Sequence, residues 1–192
     1  MPTPAAHDTG PDPGITLHPM DPGHLPAVLE LGCRVYDTGA MPYTGWSLTA
    51  VATHLDASVP ACRVALAGER LAGFVLGSMT FEQREDWGYM EWIAVDPDFQ
   101  GRGVAGRLVQ DCCAVLTEAG ASSVVTDVEV NNTASAALMR RNGFTEGVTV
   151  TLFVRPGSDG APHRGGISLP HFARTGRPRP TRHDGRRAEG TV

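Results

Sequence analysis

The sequence of 192 residues contains no lysine, so its 16 basic residues are all arginines. This absence excludes a P-loop lysine, a pyridoxal Schiff base and any catalytic lysine. No stretch approaches 18 consecutive apolar residues, so we expect no transmembrane helix. The segment Met1–Pro4 lacks the basic and apolar regions of a signal peptide. We therefore expect a cytoplasmic protein without membrane association.

Cysteine is also scarce, with four residues and no CxxC pair. No histidine cluster accompanies them, so the spacing predicts no metal site. We expect reduced thiols that pack as small hydrophobic side chains.

The charge is distributed unevenly along the chain. Residues 1–155 carry 9 Arg against 18 acidic residues, whereas residues 156–192 carry 7 Arg against 3. Residues 1–14 and 156–192 are rich in Pro and Gly, which predicts disorder at both ends of one folded domain spanning 15–155. A basic tail can bind nucleic acid, but this one lacks interleaved aromatic residues. We expect a solvated tail and no nucleic-acid partner.

Hydrophobic periodicity predicts the element order β-α-α-β-β-β-α-β-α-β, which indicates an α/β protein with a mixed sheet and flanking helices. Alternation in the fourth strand predicts one face shared by Trp87, Tyr89, Glu91, Ile93 and Val95. The predicted strands are 15–18, 62–67, 71–81, 87–95, 123–130 and 148–154, and the predicted helices are 22–39, 46–55, 104–119 and 133–141.

A glycine-rich turn, residues 96–105, connects a buried strand to a helix N-terminus. Such a turn can bind an anion through free backbone N–H groups, helped by Arg102 and Arg107. It matches neither a Walker loop, which needs lysine, nor the GxGxxG loop that follows a first strand. A tight turn without a ligand is the alternative.

Three motifs resemble the GNAT superfamily of acyl-CoA N-acyltransferases. They are the loop Gln100-x-x-Gly103-x-Ala105, the preceding segment 93–100, and the pattern that runs from Asn132 to Leu138 and ends in Asn142-Gly143-Phe144. The resemblance covers residues 15–155 and includes relatives of ribosomal-protein N-terminal alanine acetyltransferases. It implies the GNAT fold, in which the fourth and fifth strands splay apart, and acetyl-CoA as co-substrate without a metal.

The resemblance also implies which residues hold the co-substrate. The backbone of Ile93, Ala94 and Val95 would pair with the pantetheine arm, and Asn132 would bond its end. Asn132 can equally serve as a helix N-cap. The pyrophosphate would be held by Gly101, Arg102, Gly103, Val104, Ala105 and Gly106.

Two acidic residues are the candidate catalytic bases. Glu91 lies on the fourth strand, where a buried carboxylate would suit a base. Asp127 occupies the position of a catalytic glutamate in the alanine acetyltransferases, and Glu129 shares its face. The alternative for each is a solvated charge at a strand edge.

Met139 departs from the family pattern, because many members have a tyrosine there that protonates the leaving thiolate. Two functions therefore remain open: an N-acetyltransferase acting on a small amine or a protein N-terminus, and a degenerate acyl-CoA-binding module. The acceptor wall would include Tyr36, Asp37, Tyr43 and Trp46. We expect a monomer or homodimer.

Overall fold

The structure, a computed structural model, describes residues 14–37, 44–82, 84–151 and 153. The described part of the chain contains five strands and four helices in the order β-α-α-β-β-β-α-β-α. The strands are β1 Ile15–Pro19, β2 Arg63–Ala67, β3 Arg70–Phe81, β4 Arg84–Val95 and β5 Ser123–Val125, and the helices are α1 Leu25–Val35, α2 Leu48–Leu55, α3 Val104–Glu118 and α4 Thr133–Arg141.

The strands form one sheet in the order β1-β2-β3-β4-β5. The first four are antiparallel neighbours, and β5 joins β4 in parallel through three residue pairs that end at Tyr89 and Val125. The predicted α/β fold with a mixed sheet is confirmed.

Each face of the sheet has its own hydrophobic core. On one face, α3 buries Val104, Leu108, Val109, Cys112 and Leu116 against the strands. On the other face, α1 contributes Val28 and Leu31, and α2 contributes Val51. The two layers hold β3 and β4 in the middle of the molecule, which fixes the geometry of the site described below.

Helix boundaries follow the capping residues. Ser47 caps α2 by accepting a hydrogen bond from Ala50, and Asn132 caps α4 by accepting one from Ser135. Asp21 caps a single 3-10 turn, Pro22–His24, that precedes α1. Helix α1 ends at Val35 rather than at Gly39, and Gly39 lies outside the described residues.

Several predicted elements were wrong in detail. The helix stripe of α3 also buries Val109 and Leu116, which were not expected, whereas Ala119 is exposed and Val115 packs half-buried at the edge of the core. Strand β5 has three residues instead of eight. Residues 148–151 and 153 form no strand, and Val148 and Phe153 are each 93% exposed. Alternating apolar residues form a strand only where a neighbouring strand is available to pair.

Cys62 and Cys112 are buried, as predicted, whereas Cys33 is exposed. Burial raises the pKa of the Cys62 thiol to about 11. No helix in the described part of the chain is long and apolar enough to cross a membrane. The terminal segments predicted to be disordered, apart from Gly14, lie outside the described residues.

Candidate functional site: a cleft beside the fourth strand

The glycine-rich turn forms one wall of a cleft. After β4, a 3-10 turn, Pro97–Phe99, leads into Gly101 and Gly103, whose φ angles are +75° and +76°. These are left-handed conformations that glycine adopts without strain. Two such residues let the chain reverse within a few positions and direct the N-terminus of α3 into the cleft.

The cleft has a volume of about 440 Å³. It lies between the end of β4, the glycine-rich turn, the first turn of α3 and the C-terminal end of α4. Its lining residues are Val95, Phe99, Gln100, Gly101, Gly103, Val104, Ala105, Gly106, Leu138, Arg141 and Asn142.

The N-terminus of α3 can bind an anion because no side chain caps it. Its N-cap is Gly103, which makes no side-chain hydrogen bond, whereas Ser47 and Asn132 cap α2 and α4. The first-turn N–H groups of a helix have no intrahelical acceptor, and they carry the positive end of the helix dipole. These groups fit a phosphate ester, such as the pyrophosphate of a coenzyme A thioester.

Asp96 fixes the turn that carries these glycines. Its carboxylate accepts the N–H of Asp98 at 3.0 Å and the guanidinium groups of Arg34 at 3.0 Å and Arg70 at 3.3 Å. Burial alone would raise the pKa of Asp96, but the hydrogen bonds from Asp98 and Arg34 outweigh it and lower the pKa. The buried carboxylate therefore stays charged and ties the turn to α1 and β3.

The basic residues of the cleft differ from those expected. Arg107 donates to the carbonyl of Ile15 at 2.9 Å, so it anchors β1. The guanidinium of Arg102 lies over the Phe99 ring, 5.5 Å from its centroid. Arg141, at the end of α4, lines the cleft instead. Sequence reasoning missed it because only the fold brings α4 beside the N-terminus of α3.

Strand β4 has a free edge next to the cleft. Pairing with β5 ends at Tyr89, and no other described strand pairs with that edge of β4 from Met90 to Val95. On its opposite edge, Ile93, Ala94 and Val95 pair with β3. The free edge offers backbone N–H and C=O groups to an extended ligand, and of these three residues Val95 also lines the cleft.

A β-bulge interrupts β4 at Glu91. Leu76 pairs with Trp92 and Gly77 pairs with Met90, which leaves Glu91 as an extra residue. The predicted single face from Trp87 to Val95 is therefore wrong. Trp92 packs on the side of α1 and α2, whereas Ile93 and Val95 pack on the side of α3.

The bulge places Glu91 against a buried histidine. The Oε2 atom of Glu91 lies 2.7 Å from Nε2 of His54 on α2, and Nδ1 of His54 lies 3.1 Å from the Ser78 hydroxyl on β3. His54 and Ser78 are buried, whereas the Glu91 side chain is 32% exposed. Sequence reasoning missed both partners, which have no motif and lie 37 and 13 residues from Glu91.

Asp127 lies across the point where β4 and β5 separate. Its carboxylate accepts the hydroxyl of Tyr89 at 2.5 Å. Burial raises the pKa of Tyr89, and the carboxylates of Asp127, Glu91 and Glu82 raise it further. The phenol therefore stays protonated. Both predicted catalytic acids, Asp127 and Glu91, contribute to the rise in its pKa. Asp127 itself is exposed, and Glu129 is half-buried.

Other predicted residues occupy structural positions. Met139 is buried in the core beneath α3, so it packs and donates no proton. Tyr36 and Trp46 pack in an aromatic cluster with Phe74 and Trp92. Asn132 caps α4 and does not line the cleft. Tyr43 lies outside the described residues.

No group of three or more His, Cys, Asp or Glu side chains among the described residues could hold a metal ion. An uncapped helix end, an unpaired edge of β4 and a half-buried carboxylate on the same strand make up a site that can hold an extended phosphorylated molecule and accept a proton.

Comparison with known proteins identifies the family. The model of the acetyltransferase (GNAT) family matches residues 31–144, more than half of the chain. The chain belongs to this family.

One relative is N-alpha-acetyltransferase 30 of Schizosaccharomyces pombe, 30% identical over 82 residues, or 42% of this chain and 55% of that protein. The chain spans about half the length of the curated relatives it matches.

Two solved structures share the fold. The ribosomal-protein-S18-alanine N-acetyltransferase of Escherichia coli is 23% identical, with a TM-score of 0.60 over 77% of this chain and 87% of that one. The aminoglycoside N-acetyltransferase AAC(6')-Iy in complex with CoA is also 23% identical, with a TM-score of 0.62 over 74% of this chain and 95% of that one.

Proposed function

We propose that the protein is an N-acetyltransferase that transfers the acetyl group of acetyl-CoA to a primary amine of a small molecule or of a peptide or protein N-terminus. The observation that carries this proposal is the uncapped N-terminus of α3, which faces a cleft beside the free edge of β4. Membership of the GNAT family supports it. Similarity to N-alpha-acetyltransferases favours a peptide N-terminus, and similarity in fold to aminoglycoside acetyltransferases leaves a small amine open.

The chain's residues fit acetyl-CoA, which supplies an acetyl group activated as a thioester. The N–H groups from Gly101 to Gly106 and the Arg141 guanidinium would hold the pyrophosphate. The free edge of Ile93 to Val95 would pair with the pantetheine arm. Asn132 uses its side-chain oxygen to cap α4, so its amide nitrogen would be the donor toward that arm.

Glu91 is the proposed general base. The half-buried carboxylate of this bulge residue would take a proton from the amine as the new C–N bond forms and the C–S bond breaks. Asp127, which accepts the hydroxyl of Tyr89, would attract the acceptor amine while that amine is still cationic. Met139 supplies no acid for the departing thiolate, and a thiol pKa of roughly 8.5 makes unaided departure feasible.

Release of CoA in the presence of a panel of amines tests this function. The panel contains peptides with free N-termini, aminoglycosides and polyamines, and the released thiol is measured with a disulfide reagent. We expect turnover with at least one class. Binding of acetyl-CoA without turnover would identify a degenerate acyl-CoA-binding module instead, and absence of binding would refute the use of the glycine-rich turn.

The substitution Glu91→Gln tests the base. It keeps the shape but accepts no proton, so kcat should fall by roughly 10²–10⁴-fold while acetyl-CoA still binds. Glu118→Gln, at the end of α3 away from the cleft, is the matched control and should retain full activity. Equal rates in the two variants would remove Glu91 from the mechanism.

A further inference from the structure

Two hydrogen bonds connect Ser78, His54 and Glu91 in a row and so join three elements. Ser78 lies on β3, His54 on α2 and Glu91 at the bulge of β4. His54 and Ser78 expose 4% and 8% of their surface. Within the described part of the chain, hydrogen bonds engage only the Oε2 atom of the Glu91 carboxylate.

We propose that His54 is a positioning residue for Glu91, with Ser78 selecting its tautomer. This role rests on the proposed function, in which Glu91 is the base. The Nε2–H of His54 donates to Oε2 of Glu91, and Nδ1 accepts the hydroxyl proton of Ser78. One carboxylate oxygen is thereby held in place, and Oε1 is left to receive the proton from the acceptor amine.

The geometry favours positioning over proton relay. A proton relay must deliver the proton to solvent. His54 and Ser78 are buried, and the row of hydrogen bonds stops at Ser78 within the sheet. A glutamate on a bulge has three side-chain torsions to fix, and a hydrogen bond from a rigid buried ring restricts them.

The burial of His54 on α2 also needs a reason. Its side chain is on the same buried side of the helix as Val51, where an apolar side chain would pack without a polar cost. A buried imidazole costs free energy unless both ring nitrogens are hydrogen-bonded, and here both have partners. The histidine therefore suits the site as the donor that orients Glu91.

Kinetics of His54 variants test this role in the full-length protein. His54→Leu removes both hydrogen bonds, and His54→Gln keeps a donor near Glu91. We expect His54→Leu to lower kcat at least tenfold with an unchanged KM for acetyl-CoA, and His54→Gln to recover most of the rate. The double variant with Glu91→Gln should be no slower than Glu91→Gln alone, because His54 acts only through that carboxylate.

A control separates positioning from folding. Ser47→Ala removes the N-cap of α2 without touching the pair, so it should lower the melting temperature but not kcat. A rate loss in Ser47→Ala equal to that in His54→Leu would overturn the proposal, and so would full activity in His54→Leu. Absence of turnover in the unmodified protein would instead refute the proposed function and this role with it.

Nitrogen-15 spectra of the His54 ring give a readout that does not depend on turnover. We expect the Nε2–H tautomer in the unmodified protein and a changed ring signal in both Ser78→Ala and Glu91→Gln. The Nδ1–H tautomer, or an imidazolium with both nitrogens protonated, would contradict the assigned hydrogen bonds even if the protein folds normally.

Discussion

At the scale of single residues, Gly32 decides whether the aromatic cluster can form. The Trp46 indole occupies the space that a side chain at position 32 would need. From there it stacks on Phe74, with ring centroids 5.3 Å apart, and donates to the carbonyl of Leu29 at 3.0 Å. Trp46 also contacts Trp92, the residue after Glu91, so this cluster supports the bulge.

Gly32→Ala should therefore destabilise the fold. Alanine favours a helix over glycine by about 1 kcal/mol, but the overlap with Trp46 should cost more and give a net loss of about 1–3 kcal/mol. Urea unfolding measures the difference. Gly106→Ala is the control, because its new Cβ would lie an ordinary 3.8 Å from Asn142. Equal stabilities of the two variants would contradict the packing argument.

At the scale of elements, helix α3 has a glycine with positive φ at each end, but only the N-terminal end borders the cleft. Gly103 at its N-terminus and Gly120 just beyond its C-terminus both have positive φ, +76° and +101°. A Cβ at either position would meet no atom within 4 Å. Only the N-terminal glycine lines the cleft. Both positions therefore require a left-handed backbone, but only Gly103 lies beside the cleft.

Gly103→Ala should weaken acetyl-CoA binding at least tenfold, because the strained left-handed backbone would move the N–H groups that are proposed to hold the pyrophosphate. Gly120→Ala should bind acetyl-CoA normally. Both should lose about 1–2 kcal/mol of stability, the cost of a left-handed residue with a Cβ. Calorimetric titration with acetyl-CoA distinguishes them, and equal affinities would place the phosphate elsewhere.

At the scale of the whole molecule, Asp96 joins the parts that frame the cleft. Its buried carboxylate connects Arg34 of α1, Arg70 of β3 and the turn before α3. Since its pKa is lowered in the folded state, it contributes stability that is present above its unfolded pKa of about 4 and is lost as the pH falls through the folded value.

Asp96→Asn should lower the free energy of unfolding by about 1–2 kcal/mol at pH 7, since the amide loses the charge that strengthens these hydrogen bonds. The difference from the unmodified protein should shrink as the pH falls below about 4, because Asp96 becomes protonated first in the unfolded state and only at lower pH in the folded state. Denaturant unfolding at pH 7 and pH 3 measures both values. Asp98→Asn is the control, because that exposed carboxylate pairs with Arg70 at the surface and should matter less.

Much of the fold could be predicted from local signals. The helix 133–141 and its cap Asn132 follow from capping preference and periodicity, and both are observed. The glycines at positions 101 and 103 predict a turn before a helix, and the structure has such a turn. The length of β5 and the absence of a strand at residues 148–151 and 153 were not predictable, because strand pairing depends on a neighbour that the segment itself does not contain.

The candidate site also has features that local sequence predicts and features that depend on tertiary contacts. The sequence by itself determined the glycine-rich turn and the family, and it predicted Glu91 and Asp127 as candidate bases. Only the tertiary structure decided that Glu91 is the extra residue of a bulge, that His54 and Ser78 stand behind it, and that Arg141 rather than Arg107 reaches the cleft. Motifs record contacts between residues close in sequence, whereas these contacts depend on strand register and on how helices pack across the sheet.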